Sequence, residues 1–365
     1  MPLNSKGRSP NLDIIRIFAL LTVVGVHFFI NTDFLEMPID NIRMYILTTI
    51  RTFCAICVPL FIILSGYLMK NKKLSKKYYL GIVKTIGIYL LASFACYIYR
   101  VAINGENISV LSMGTGILNF TTAPYAWYVE MYIGLFLLIP FLNLIYNNLE
   151  SKNHKLVLIL TLVALTAAPG VLNAWNFASP SFFANPSASD HYINLIPDWW
   201  TEIYPITYYF IGCWLREYGL GISRIKNLLL LIASVVFWGL FNVYRSYPLP
   251  FVAGGWVGWS GLPQLINTTL VFNLLLNIKE STVPQKLYKP LNILSDLTFG
   301  AYLMSYASDQ FIYAKLFGNT PSAELALGWF PVVVLASAAL AFAMSFVLNV
   351  IYKLCYNAVT KIIVK

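Results

Sequence analysis

Uninterrupted apolar runs of about 20 residues recur along the whole chain, and they constrain it more than any other feature. A run of that length can cross a bilayer as a helix. The alternative, a large soluble core, needs polar outer faces that these runs lack. Composition agrees: 58% of the 365 residues are hydrophobic and only 11% are charged, against about 25% charged in a soluble domain. The expected fold is all-α, a polytopic integral membrane helical bundle. Ten transmembrane helices are expected, over 12–30, 46–69, 79–101, 126–146, 155–174, 203–218, 226–244, 260–278, 291–317 and 327–352. They form a single transmembrane domain over 1–365.

The net charge of +10 sits mostly in short loops between the runs, the distribution that orients membrane helices rather than one that binds nucleic acid. An N-terminus in the cytoplasm puts Lys70–Lys77, Asn147–Lys155, Leu215–Lys226, Lys279–Lys289 and the tail from Lys353 on the inside. Both termini are then cytoplasmic. The basic stretch Ser5–Pro10 precedes a run that contains Arg16 and no small-residue cleavage site, so the first helix is expected to remain as an anchor. The chain stops at Lys365, just after its last helix, and no C-terminal soluble domain is expected.

Three outside segments are long: Asn104–Tyr125, Ala174–Glu202 and Arg245–Trp259. Their Trp175, Trp199, Trp200, Trp256 and Trp259 suit either sugar stacking or the aromatic belt of a membrane interface. Cys54, Cys57, Cys96, Cys213 and Cys355 lie in apolar stretches without a second ligand pair, so they are read as small core residues and no metal is expected. His154 and His191, the latter after Asp190, are read as exposed.

Chemistry concentrates on the first helix. Arg16 and His27 are eleven positions apart, about 1100° of helical rotation, so they share one face at about 16 Å separation. Asp13 is within pairing reach of Arg16. Ionisable groups in a spanning helix are costly and usually face a cavity or partner. Arg16 can hold a phosphate, and imidazole can take a proton from a hydroxyl or carry an acyl group. Snorkelling of Arg16, and a backbone hydrogen bond for His27, are the structural alternatives.

The residues Leu12-Asp13, Arg16 and His27 resemble the signature of the bacterial acyltransferase-3 family of membrane enzymes. Three further segments resemble it in order: Val58–Leu68 with its Ser65-Gly66-Tyr67-Leu68 ending, Ala126-Trp127-Tyr128-Val129, and Leu294–Leu303. The resemblance implies transfer of acetyl or similar groups from acyl-CoA to hydroxyls, commonly on cell-surface polysaccharide, with Arg16 and His27 as the essential pair. The sequence departs from the family twice. Tyr125 stands where a His often precedes the Trp of the third motif, and Ser305 where a His often follows the fourth, which questions any mechanism with a second histidine.

Other polar groups join this reading. Glu130 is placed with the catalytic residues as a partner that orients His27, a sugar ligand or an ion-pair partner of Arg51. Lys84 is a second candidate for acyl-CoA phosphates. Arg51, Trp127, Tyr128, Tyr306 and Asp309 are candidate acceptor contacts. Ser65 and Gly66 read as a close-packing pair. The expected function is an O-acyltransferase of a bacterial plasma (inner) membrane, using acetyl-CoA as donor and a polysaccharide or lipid-linked glycan as acceptor. A homo-oligomer is compatible with the sequence. The rival is a transporter or flippase for a lipid-linked sugar or small metabolite. Against it, the intramembrane charges gather in helices one to four and no internal repeat is visible.

Overall fold

Residues 9–189, 192–318 and 322–363 are described by the computed structural model, and a helix forms over each expected run. Helix α1 spans Pro10–Ile30, opening on a proline at a position that needs no N–H. The second run is broken into α2 (Ile42–Cys54) and α3 (Cys57–Met69). Pro59 lacks the N–H that would bond the Ala55 carbonyl, and the break falls there. The third run divides into α4 (Lys76–Leu80) and α5 (Val83–Ala102). Within Asn104–Tyr125, read from sequence as a loop, lies α6 (Val110–Leu118), its N-terminus capped by the Ser109 hydroxyl.

Helix α7 spans Trp127–Asn147; α8 (Lys152–Thr166) and α9 (Ala168–Leu172) flank a break beside Pro169. Then follow α10 (Tyr204–Glu217), α11 (Arg224–Ser246), α12 (Leu262–Leu276), α13 (Tyr288–Phe317), α14 (Ala323–Ala326) and α15 (Phe330–Ile363). The described residues contain no strand, only an isolated bridge between Pro38 and Pro250. Among the described residues, six helical segments are long and apolar enough to cross a membrane, against the ten expected. The rest are short, as α10 is at 14 residues, or interrupted by polar groups, as α13 is by Ser295, Asp296 and Asp309.

Helix α1 is the hub, packed against α3, α12, α13 and α15. The outer helices turn apolar side chains outward, Leu229, Phe237 and Leu240 on α11 and Phe346 and Val347 on α15. That is the face lipid requires and water does not. Helices α3 and α10 cross at Gly66 and Gly212. A Cβ at Gly66 would collide with the Tyr209 carbonyl, and one at Gly212 with the Ile63 carbonyl, which makes Gly66 a close-packing residue. Four of the cysteines are buried, and Cys355 is exposed. His154 is exposed in the first turn of α8, whereas Asp190 and His191 lie outside the described residues.

The two ends of the bundle differ. At one end Lys70 and Lys155 both pair with Glu217, and the Asn11 amide donates to the Leu276 and Ile278 carbonyls. This end therefore gathers the basic loops. At the other end Arg245, fully buried, donates to the Ala174 carbonyl and lies 4.9, 5.1 and 4.4 Å from the ring centres of Phe182, Tyr192 and Trp256. That cage ties the segments after α9 and α11 together. Trp256 thus belongs to the core, whereas Trp199 is 90% exposed.

Candidate active site

His27 sits in the last turn of α1, and burial leaves it 6% exposed. Its Nδ1 lies 2.9 Å from Oδ2 of Asp309, a fully buried residue late in α13. The packing of α1 on α13 brings the two together across 282 positions of sequence. Asn31, one turn beyond His27, donates to the His27 carbonyl at 2.8 Å and to the Tyr125 hydroxyl at 3.3 Å. Gln310 in turn donates to the Asn31 side-chain oxygen at 3.2 Å. The Tyr125 ring lies against the imidazole, tilted by 35° with centres 3.9 Å apart, and its backbone carbonyl accepts from the Tyr302 hydroxyl. Tyr306 meets Tyr125 edge-on. A carboxylate that accepts from Nδ1–H fixes the ring and leaves Nε2 able to take a proton.

About three turns down the same helix, Arg16 donates to Asp13 at 3.3 Å and to the Ser295 hydroxyl at 3.2 Å. Its guanidinium borders two cavities. The wider, about 1070 Å³, holds Arg16, Lys84 and Arg216 in its wall, with Arg216 seated over the Tyr67 ring. The second, about 330 Å³, runs inward from Arg16 past Ser65 and Thr298 to Val23, Tyr128 and Tyr302. It ends at Val23, one helical turn or about 6 Å short of His27. A third cavity, of about 400 Å³, lies towards the opposite end, walled by Val26, Ile30, Arg51, Gly258 and Trp259. Between the two cavities, Trp127 stacks on Trp259, and Tyr128 meets Tyr302 edge-on.

The structure thus unites Arg16 with Lys84, and His27 with Asp309, Tyr125 and, through Tyr125, Tyr306. Glu130 is exposed on α7; the carboxylate on the imidazole is that of Asp309, read from sequence only as an acceptor contact. Asn31, Ser295, Arg216 and Gln310 were missed. Asn31 was within reach of pattern reasoning, because it lies four residues beyond His27 on the same face. In the sequence Tyr125 stands out only as a departure from the third motif. Ser305, the other departure, is buried and donates to the Tyr302 carbonyl, so its hydroxyl is satisfied within its own helix. No cluster of metal-ligating side chains occurs among the described residues.

Residues 9–349 match the acyltransferase domain of the acyltransferase-3 family. The chain belongs to that family. No curated protein and no solved structure matches it. As an acyltransferase-3 protein, with several helices long and apolar enough to span a bilayer, it is a multi-pass membrane acyltransferase. The match covers both halves of the candidate site, Arg16 and His27 on α1 and Asp309 on α13.

Proposed function

We propose that the protein is an O-acyltransferase of the bacterial plasma membrane, moving an acetyl-type group from cytoplasmic acyl-CoA to a hydroxyl of a glycan or its lipid-linked precursor. The observation that carries this reading is the buried His27–Asp309 pair, set between a cavity entered past Arg16 and another bounded by Trp259. The positive-inside rule assigns the end with the Lys70–Glu217–Lys155 cluster to the cytoplasm. The donor's phosphates then meet Arg16, Lys84 and Arg216 in the wide cavity. Its pantetheine arm follows the narrower cavity towards Val23.

His27 Nε2 takes the proton of the acceptor hydroxyl as its oxygen bonds to the thioester carbonyl carbon. The C–S bond breaks, and the imidazolium returns the proton to the departing thiolate. Asp309 orients the ring and stabilises the transient cation. Because Tyr128 and Tyr302 wall that cavity and the Tyr125 ring lies against the imidazole, donor entry requires these rings to shift. The test is radiolabelled acetyl-CoA with a mixed glycan extract, on protein in lipid nanodiscs. Wild type is expected to release CoA and label the glycan, and His27→Ala to do neither while keeping its fold. Full transfer by His27→Ala would remove His27 from the chemistry.

A further inference from the structure

Arg51 lies on α2, inside the apolar stretch Ile42–Met69. Its Nη1 is buried and makes no hydrogen bond, and no carboxylate lies within ion-pair distance of it among the described residues. Its guanidinium carbon rests 4.1 Å from the centre of the Phe251 ring. A cation–π contact offsets only part of what an unpaired, poorly solvated charge costs.

Other arginines of the bundle are differently placed. Arg16 has Asp13, Arg100 has Glu106, and Arg245 is enclosed by three rings and bonded to a carbonyl. Arg51 instead forms part of the wall of the 400 Å³ cavity, whose other side is built by Val26 and Ile30, on either side of His27 in sequence. A partly desolvated guanidinium at the wall of a cavity, without a counter-ion among the described residues, is complementary to an anion brought by a ligand. The same cavity shares Gly254 and Gly258 with a groove of about 540 Å³ that presents Asn194, Asp198 and Glu202. These are hydrogen-bonding groups suited to sugar hydroxyls.

We propose that Arg51 is an anion-binding subsite, and that the acceptor delivered to His27 carries a phosphate or carboxylate which this guanidinium holds. The inference rests on the acyltransferase reading above for the acceptor's place, but the anion site itself stands on Arg51 alone. The anion comes either from a lipid diphosphate or from an acidic sugar, and the two sources are separable.

The test measures equilibrium binding of four radiolabelled probes to the full chain in phosphatidylcholine nanodiscs. They are farnesyl diphosphate against farnesol, and a glucuronic acid disaccharide against its neutral glucose counterpart. At least one anionic probe is expected to bind at least about tenfold more tightly than its neutral partner. Arg51→Gln should lose that difference, Arg51→Lys should keep part of it, and His27→Ala should bind as wild type does. Which anionic probe binds identifies the source. Without ligand, Arg51→Gln is expected to melt at or above the wild-type temperature, since it removes an uncompensated charge.

Equal binding of charged and neutral probes, unchanged binding by Arg51→Gln, or a lower melting temperature for that variant would each overturn the subsite. Failure of the broader reading looks different: Arg51-dependent anion binding would persist in a wild-type protein that consumes no acetyl-CoA.

Discussion

Replacing Asp309 with Asn changes one atom in a fully buried side chain, so the effect on His27 can be worked from geometry. The carboxylate accepts from Nδ1 at 2.9 Å; an amide in the same place can present its NH₂ and donate to Nδ1 instead. The imidazole would then carry its proton on Nε2, the atom required as base. Loss of a hydrogen bond to a charged group costs about 1.5–3 kcal/mol, or about 10- to 150-fold in rate at the stage where the imidazolium forms. Tautomer reversal adds to this; in the Ser-His-Asp triad the same isosteric change lowers kcat by about 10⁴. We therefore expect Asp309→Asn to reduce acetyl transfer by about 10²- to 10⁴-fold. The assay is release of CoA thiol from acetyl-CoA in nanodiscs, with the donor KM determined in parallel. That KM should hold close to wild type, because Arg16 and Lys84 lie at the far end of the cavity system. A variant within about threefold of wild-type kcat, beside an inactive His27→Ala, would refute the view that Asp309 orients the base.

Arg16→Lys keeps the charge but loses the planar fork that reaches both Asp13 and Ser295; the donor KM should rise about tenfold with a smaller change in kcat, read by steady-state kinetics. Gly66→Ala drives a methyl into the Tyr209 carbonyl and should cost about 1–3 kcal/mol or more, seen as a lower melting temperature in size-exclusion thermostability. At Glu106, the hydrogen bond from Arg100 holds the carboxyl below the usual carboxylate range. Its support for the segment before α6 is therefore complete above the ordinary glutamate pKa of about 4.3 and lost as pH falls through the depressed value. Hydrogen exchange over residues 104–110, corrected for intrinsic rate, should lose protection only at strongly acid pH.

The elements legible in the sequence were those with local causes. Arg16 and His27 share a helix, so their spacing alone puts them on one face. The ten apolar runs each produced helix, since a run of that kind has few other ways to satisfy its backbone. The breaks beside Pro59 and Pro169 also had local causes, but the continuous apolar pattern masked them. What stayed hidden was set by packing. Asp309 reaches His27 only because α13 lies against α1, and nothing in the local pattern of α13 favours it over Glu130 as the partner. Arg245 follows the same logic: its sequence neighbours mark a loop, but its three aromatic partners come from two separate segments.

A site between two cavities also bears on how donor and acceptor can meet in a membrane. If both cavities opened freely onto His27, the bundle would hold a continuous path, and water entering it would compete with the glycan for the thioester. Tyr125 packed against the imidazole and the Tyr128–Tyr302 contact close one approach, while the Trp127–Trp259 stack lies beside the other. On the proposed reading these rings form a partition that yields to a bound acyl chain and excludes water otherwise. Tyr302 is the member that links both sides: its ring lines the donor cavity, and its hydroxyl holds the Tyr125 backbone. Tyr302→Phe keeps the ring and removes that tether, so it should loosen the partition without opening the donor cavity. The expected signature is a higher ratio of acetyl-CoA hydrolysis to glycan transfer, with donor binding unchanged. An unaltered ratio would mean that the packing of Tyr125 against His27 needs no tether from α13.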